Sequence, residues 1–261
     1  MYDGSRAPGS PIKSFKKHSI KFHIKHYLQE LSHGVDGTVL WIKMPVEFYY
    51  MPLSAPCRSS MLTAKAVGVE LNLKLLNLLA GEQMKPEFLA INPQHCVPTL
   101  VDGDFTLWES RPICSYLASQ YGKDDSLYPS NPKKRAQVDR LMYFDMGTLY
   151  HRFGEYVYPV MFRNQDRPDP EKLDKLHEAL GWLNSFLDGH DWVVGENITV
   201  ADHVLVASVA TFEAAGIDID RHANVAAWLT RCKSVMPGYG EVNEPGASEF
   251  GKMAKAKLGT N

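Results

Sequence analysis

Cysteine is scarce in this chain, with four in 261 residues. Cys57, Cys96, Cys114 and Cys232 lie far apart and show no metal-binding spacing. This pattern excludes a disulfide-stapled secreted domain and a structural zinc site, and the sequence shows no signal-peptide pattern. We therefore expect reduced thiols, a cytoplasmic location and no bound metal.

Long apolar runs and an excess of charge of one sign are also absent. No segment is apolar enough over about 20 residues to span a bilayer. The formal net charge is −2, so the sequence predicts no nucleic-acid partner. The G-x-S-x-G motif of serine hydrolases is missing as well. What the chain does have is 44% hydrophobic residues, enough for a substantial core.

Residues 1–43 differ in composition from the rest of the chain. They carry a net charge of +4, against −6 for residues 44–261. Their opening is rich in Gly, Pro and Ser, so we predict a basic, flexible extension. A vector-derived or upstream-translated extension, a regulatory tail and a targeting segment all stay open as its origin. One stretch would place five apolar side chains on one face of a short amphipathic helix: Ile20, Ile24, Tyr27, Leu28 and Leu31.

Beyond residue 43, strand and helix signals alternate. An apolar strand from Val46 enters a turn at Ser54, whose hydroxyl can cap a helical run that ends near Gly68. Residues 71–75, LNLKL, then alternate with the period of two that is typical of a strand. Strand, helix and strand predict a right-handed βαβ unit.

A hairpin and a second helix follow. Pro98 leads into the apolar run 99–101, and a Gly-bearing turn separates that run from the second apolar run, 105–108. Ser110 is expected to cap the next helix, whose first amides could then bind a carboxylate. The order β-α-β-α-β-β-α predicts an α/β thioredoxin-like domain over residues 44–122.

The second half of the chain has helical periodicity. A turn-rich linker, residues 123–131, precedes it, so we predict an all-α helical domain over residues 132–261. Thr199 and Asp202 form a capping box at the start of its most apolar helix. Its first helix is predicted to carry a near-heptad stripe, 143–157. The aromatic side chains of this region exceed what one packed face requires, and we expect some to line a pocket: Tyr143, Phe144, Tyr150, Phe153, Tyr156, Tyr158 and Phe162.

Three passages of the sequence carry a family resemblance. They are YYMPLSAPCRS at 49–59, INPQHCVPTLVDGDFTLWESRPI at 91–113 and ITVADHVLVASV at 198–209. Their order and spacing resemble those of the cytosolic glutathione S-transferases. From Met44 onward the chain is most similar to the insect-type delta class, within the delta and epsilon group.

The resemblance implies a role for particular residues. Ser54 matches the residue whose hydroxyl donates to the thiol of glutathione, which is a co-substrate, and no cofactor is implied. The positions that hold the tripeptide match His95, Val97, Pro98, Glu109, Ser110 and Arg111. The site for a hydrophobic electrophile matches Tyr150, Phe153, Tyr158 and Phe162. The resemblance also implies a homodimer and a cis peptide bond at Pro98.

The implied reaction needs a thiolate. A free thiol with a pKa of about 8.5 is only a few per cent ionised at neutral pH. A charge-assisted hydrogen bond from Ser54, at about 1.5–3 kcal/mol, would lower that pKa by about one to two units. Ser54 is thus a hydrogen-bond donor in this scheme and not an attacking nucleophile.

Three other functions stay open from the sequence. Cys57 ends an S-x-x-C motif that resembles C-x-x-C with its first thiol replaced, and as the working thiol it would support glutathione-dependent reduction. Glutathione thiolate acting as a base would instead give dehydrochlorination or isomerisation, since pocket shape decides the outcome. A protein of this fold that does not catalyse a reaction would instead be a carrier of hydrophobic ligands. Against the first alternative, we expect Cys57 to be packed inside the helix.

Overall fold

The computed structural model describes residues 28–33, 39–43 and 45–259. The chain divides into two compact units, Met1–Met44 and Pro45–Asn261.

The first unit contains an antiparallel pair of strands, β1 (Leu28–His33) and β2 (Val39–Lys43). Leu28 and Leu31 therefore lie in a strand, and the helix predicted for them is wrong. Pairing with β2 gives β1 backbone hydrogen bonds along its facing edge, and the apolar spacing within one segment does not reveal such a partner. The other three residues of the predicted helix lie outside the described residues, as does most of the extension predicted to be flexible.

The second unit begins with the thioredoxin-like domain, and the predicted order β-α-β-α-β-β-α is confirmed. The elements are β3 (Val46–Tyr50), α1 (Ala55–Val67), β4 (Leu71–Leu75), α2 (Pro86–Leu89), β5 (Thr99–Asp102), β6 (Phe105–Trp108) and α3 (Ser110–Tyr121). The strands form one sheet in the order β4-β3-β5-β6. Strand β3 is parallel to β4 and antiparallel to β5. Phe48 and Leu100, on these central strands, are fully buried in the core that α1 and α3 complete.

Helix α1 ends where the sequence predicts. Gly68 adopts the left-handed backbone conformation with φ 71°, and its N–H bonds back to the carbonyls of Ala64 and Lys65. Glycine adopts this conformation without the steric cost of a Cβ. The chain can therefore turn at once into β4, which lies beside β3.

Residues 122–131 form neither helix nor strand. The described residues beyond them are helical, which confirms the predicted all-α class of this domain. The helices are α4 (Pro132–Phe144), α5 (Tyr150–Phe162), α6 (Pro170–Phe186), α7 (Val200–Ala214), α8 (Ala223–Val235) and α9 (Glu244–Leu258). Helix α7 is buried along nearly its whole length and packs against α1, α4 and α9.

The predicted aromatic stripe 143–157 does not lie on one helix face. A π-helical turn, Asp145–Leu149, separates α4 from α5. A π turn adds a residue to the helical repeat and so rotates the following face. Tyr143 and Met146 are accordingly exposed, while Phe153 and Val157 are fully buried.

The capping box at the start of α7 is confirmed. The Asp202 carboxylate accepts from the backbone N–H of Thr199 at 2.8 Å and the Thr199 side chain caps the helix. The same carboxylate also accepts from Val193 N and from the indole N–H of Trp228, at 3.1 and 3.0 Å. Asp202 thus joins the start of α7 to α8 and to the preceding loop, a wider role than the motif predicts.

His203 connects α7 to the thioredoxin-like domain. It is fully buried, and its Nδ1 lies 3.0 Å from Thr63 Oγ1 on α1. No described residue partners its Nε2. Burial lowers the pKa of His203 from 6.5 to about 4, so the imidazole is neutral at pH 7.

This burial predicts a loss of stability in acid. The folded-state pKa lies below the unfolded value, so the stabilisation is complete above pH 6.5 and is lost as the pH falls towards 4. Between pH 7 and 4.5 the loss from His203 should be about 2–3 kcal/mol. Urea unfolding at both pH values should show a smaller loss in His203→Asn, which keeps a polar group towards Thr63. Burial also raises the pKa of Asp202, to about 6. This shift favours the folded state as the pH falls, so it opposes the effect of His203. An equal acid loss in both proteins would contradict the assignment to His203.

No helix in the described ranges, 28–33, 39–43 and 45–259, is long and apolar enough to cross a membrane.

Candidate active site

Ser54 is the N-cap residue of α1, as predicted. Its backbone is extended, and its Oγ accepts a hydrogen bond from the backbone N–H of Cys57 at 3.3 Å. The cap uses a lone pair of the hydroxyl and not its hydrogen, so the O–H can donate to a ligand. The positive end of the α1 dipole lies at the same place, and both features favour a negatively charged atom there.

Strand register gathers the other predicted glutathione segments at the same end of the sheet. Tyr49 on β3 pairs with Thr99 on β5, and Thr99 pairs with Trp108 on β6. The chain leaves β3 towards Ser54 just beyond this level. Residues 97–98 precede β5 and residues 109–110 follow β6 at this level too, so all three segments meet at one end of the sheet.

Asn92 holds the loop that leads into β5. It is fully buried, and its side-chain N–H groups donate to Thr99 Oγ1 at 2.9 Å and to the Cys96 carbonyl at 3.2 Å. Its Oδ1 accepts from the backbone N–H of Gln94 at 2.9 Å. One buried amide thus ties both ends of the loop to the sheet and fixes the backbone between them.

The loop held in this way carries three of the predicted glutathione residues. The Val97–Pro98 peptide bond is cis. Val97 is half-buried just before β5, and His95 is exposed with a positive φ of 44°. The sequence resemblance implied the cis bond. The positive φ of His95 was not predicted from the sequence.

Glu109 and Ser110 differ from the prediction in one respect, because Ser110 is not the cap of α3. Glu109 is the N-cap residue, with φ 71° and ψ 115°, and it makes no side-chain capping bond. Its positive φ turns the chain so sharply that Ser110 is already the first helical residue. A non-glycine residue in such a conformation costs about 1–3 kcal/mol and is typical of functional sites.

Arg111 points into the protein. Its guanidinium forms a buried ion pair with Asp145, in the π-helical turn of the helical domain. It also donates to Ser110 Oγ at 3.1 Å. The side chain therefore positions Ser110 and joins the two domains. A direct contact between Arg111 and glutathione stays a prediction.

A cavity of about 300 Å³ opens beside Ser54. Its wall is mostly apolar, and it comes from the turn before α1, the loop after β4, and helices α5 and α9. The lining residues are Met51, Leu53, Ser54, Leu78, Leu79, Tyr150, Tyr158, Met161, Phe162, Phe250 and Met253. The hydroxyl of Ser54 therefore lies at the edge of a pocket suited to a hydrophobic molecule.

Three of the four predicted pocket residues, Tyr150, Tyr158 and Phe162, line this cavity. Phe153 does not line it. Phe153 is fully buried beneath the wall, stacked on Phe212 with ring centroids 4.3 Å apart. It packs against Tyr158 edge-on at 6.4 Å, so it supports the wall without facing the cavity.

Tyr150 and Tyr158 supply the polar part of this wall. Their hydroxyl oxygens are 2.7 Å apart. Burial raises the pKa of both phenols, and that of Tyr150 lies well above 10. Both are therefore neutral at pH 7. The bond between them uses one of two protons, and the other can donate to a ligand in the cavity.

Two family models match the chain. Glutathione S-transferase, N-terminal domain, matches residues 44–119, and Glutathione S-transferase, C-terminal domain, matches residues 149–234. The chain belongs to the glutathione S-transferase family.

Solved structures of insect glutathione transferases are similar to this one. A delta-class glutathione transferase of Nilaparvata lugens is 52% identical, with a TM-score of 0.80, over 82% of this chain and 100% of its own. A glutathione transferase of Bombyx mori is 47% identical, with a TM-score of 0.78, over 80% and 98% of the two chains. A glutathione transferase homologue of Drosophila mojavensis with bound glutathione is 34% identical, with a TM-score of 0.76, over 82% and 97%.

Cys57 of this delta-class transferase is packed inside α1, as expected. It is fully buried, and burial raises the pKa of its thiol to about 11. A neutral, inaccessible thiol is a poor nucleophile. This geometry disfavours the reductase chemistry that would use Cys57.

Sequence reasoning missed much of the transferase's cavity wall. Leu78 and Leu79 lie in the loop after β4, and Leu79 is 74% exposed. Two adjacent leucines in a loop could have indicated an apolar surface there. No pattern in the sequence indicated Met161 and Met253, because a methionine on an amphipathic helix is equally typical of a core. Phe250 on α9, which was not assigned to the pocket from the sequence, also lines the cavity.

Proposed function

We propose that this glutathione transferase activates glutathione through Ser54 and conjugates it to hydrophobic electrophiles that occupy the neighbouring cavity. One observation carries the proposal: the donor hydrogen of Ser54 is available at a helix N-terminus, at the edge of an apolar cavity. A thiolate there would be stabilised, and an apolar substrate could lie beside it.

The chemistry follows from the two states of the thiol. Ser54 donates more strongly to a thiolate than to a thiol, so it favours ionisation by about one to two pKa units. The thiolate then attacks the electrophilic carbon. A leaving group departs from an aryl halide, whereas an activated alkene gains a proton from water. Ser54 keeps its own proton throughout.

The segments at the end of the sheet would hold the tripeptide. The backbone of Val97 would pair with the cysteinyl part of glutathione, next to cis-Pro98. Glu109 and Ser110 would hold the γ-glutamyl end, with Arg111 behind Ser110. His95 would face the glycyl carboxylate. Fixing both ends of glutathione would hold its sulfur at Ser54, and this positioning would contribute to the rate.

We also propose that the protein is a homodimer in the cytoplasm. Large apolar side chains are exposed on both domains: Met84 and Phe105 on the first, Tyr143 and Met146 on the second. Two copies could bury them by packing the first domain of one against the helical domain of the other. Light scattering should then give twice the chain mass of 29.3 kDa.

The free cysteines suit a reducing compartment, and cell fractionation would test the location.

Conjugation of an activated aryl halide by the purified protein tests the function. We expect a glutathione-dependent rate well above the uncatalysed reaction, competitive inhibition by an S-alkyl glutathione, and saturation by both substrates. Glutathione binding without conjugation of any aryl halide or activated alkene would favour a carrier role. Activity lost in Cys57→Ala but kept in Ser54→Ala would instead point to Cys57 chemistry.

A further inference from the structure

Arg58 lies one helical turn after Ser54 and is fully buried. Its guanidinium donates to the Asn243 carbonyl at 2.9 Å, to Asn243 Oδ1 at 3.0 Å and to Thr211 Oγ1 at 2.6 Å. All three acceptors are neutral. In the described part of the chain, no carboxylate lies within ion-pair distance of Arg58. Its charge is therefore buried without a counter-charge.

The other buried arginine near the site shows the contrast. Arg111 is paired with Asp145, the usual way in which a protein accommodates a buried guanidinium. Asn243 occupies the corresponding place beside Arg58. The nearest carboxylate along the chain from Asn243 is that of Glu244, which is exposed. The fold thus provides a carboxylate as counter-charge for Arg111 and only neutral acceptors for Arg58.

The titratable groups around Arg58 do not supply a negative charge either. They are Cys57 on α1, Tyr150 on α5 and Tyr239 in the π-helical turn before α9. Burial raises the pKa of each of them, so all three are neutral at pH 7. Burial lowers the pKa of Arg58 to about 10, which still leaves it protonated.

The packing around Arg58 links it to the cavity. A Cβ on Gly246 would lie 2.9 Å from Arg58 Cδ and 2.1 Å from the Pro52 carbonyl oxygen. The start of α9 therefore lies directly on Arg58 and on the turn that leads to Ser54. Tyr150, which interacts electrostatically with Arg58, lines the same cavity as Ser54. Arg58 is thus packed together with the turn that carries Ser54 and interacts with a residue of the cavity wall.

We propose that Arg58 is a positioning residue whose unpaired charge stabilises the glutathione thiolate from behind Ser54. The inference rests on the proposed function, because the missing counter-charge is the thiolate itself. Opposite charges in a low-dielectric interior attract strongly, so ionisation of the bound thiol is favoured while the charge of Arg58 stays uncompensated.

Asn243→Asp tests this directly. The change keeps the shape of the side chain and places a carboxylate against Arg58. Asn243 Nδ2 has no hydrogen-bond partner in the described residues, so its loss breaks no hydrogen bond. With Arg58 neutralised, the pKa of bound glutathione should rise by about 0.5–1 unit. The conjugation rate below that pKa should fall about three- to tenfold.

The measurement is the ultraviolet absorbance of the bound thiolate as a function of pH. Arg58→Met should give the same rise in the thiol pKa, and Arg58→Lys should keep most of the wild-type value. A thiol pKa unchanged in Asn243→Asp would overturn the inference, and so would equal shifts in the Met and Lys variants. If the Arg58 variants fail to fold, Asn243→Asp alone decides. A wild type without a lowered thiol pKa would refute the proposed function itself, a separate result.

Discussion

Alanine at position 54 should lower the rate of glutathione conjugation by about 8- to 25-fold at pH 7, because the thiol pKa would return from one to two units below 8.5 to about 8.5. The variant loses the donor to the thiolate, and the thiol of bound glutathione returns towards its value in water. The backbone of the site is otherwise unchanged. Steady-state rates with an activated aryl halide over a pH series would measure the effect.

The pH dependence separates ionisation from positioning. If Ser54 acts by lowering the thiol pKa, the deficit of Ser54→Ala should shrink as the pH passes the pKa of free glutathione, about 8.5. A deficit that stays constant at every pH would contradict that role. Ser54→Thr, which keeps a hydroxyl and can still cap α1, is the matched control and should retain most of the rate.

Loss of the cap must be separated from loss of the donor. Ser54 also accepts from Cys57 N, and losing such a cap costs about 0.5–2 kcal/mol. Urea unfolding of Ser54→Ala would report that cost independently of the rate. A folded variant at the assay temperature, with the expected pH profile, would assign the lost activity to the thiol.

Replacing Gly251 by alanine should destabilise the protein by about 3 kcal/mol or more, at or above the usual range for overpacking. A Cβ on Gly251 would lie 2.3 Å from the carbonyl oxygen of Ala214 and 2.5 Å from its carbon. Those atoms belong to the backbone of Ala214, the last residue of α7, and cannot rotate away as a side chain can. Helix α9 would have to move away from α7.

Gly181 provides the matched control. It also lies inside a helix, α6, but a Cβ there would meet nothing within 4 Å. Gly181→Ala should leave stability unchanged or raise it by about 0.4–1 kcal/mol. Urea unfolding of both variants would compare them. Similar small changes in both would mean that α9 does not pack rigidly on α7.

The Gly251 variant should also affect the cavity. Phe250 and Met253 lie on either side of Gly251 and line the cavity. A displaced α9 should therefore raise the KM for the electrophile more than the KM for glutathione. The two Michaelis constants at the temperature where the variant is still folded would measure this.

The thioredoxin-like domain could be predicted from sequence because its signals are local. Each signal indicates one local feature of the backbone. The period-two alternation of residues 71–75 indicates a strand, the glycine at position 68 a helix end, and Gly103 a hairpin turn. Their order then leaves few possible topologies. The capping box at Thr199 was found for the same reason, since both partners lie within one turn.

Two of the errors share a different cause, which is unusual backbone geometry. Ser110 was predicted to cap α3 because serine is a common cap, but the positive φ of Glu109 moves the helix start by one residue. The π-helical turn Asp145–Leu149 broke the predicted stripe in the same way. Glutamate rarely adopts a positive φ, and no residue type specifies a π turn.

The cavity wall could be predicted only in part because it is built from distant segments. Tyr150, Tyr158 and Phe162 were found through the local excess of aromatic residues and the family resemblance. Leu79 and Met253 join them only through tertiary packing. Phe153 shows the reverse case, since an aromatic residue between two pocket residues points instead into the core.

The arrangement of the cavity has a consequence for how this enzyme could evolve. The proposed thiol activation rests on Ser54 and Arg58, neither of which is needed to shape the far side of the cavity, whereas the rest of the wall is shared among several other segments. Selection could therefore change Leu79, Phe162 or Met253 one at a time, and each step would alter which foreign compound fits while glutathione is still activated. Descendants of one ancestral gene could in this way divide a wide range of toxic compounds among themselves without passing through an inactive intermediate.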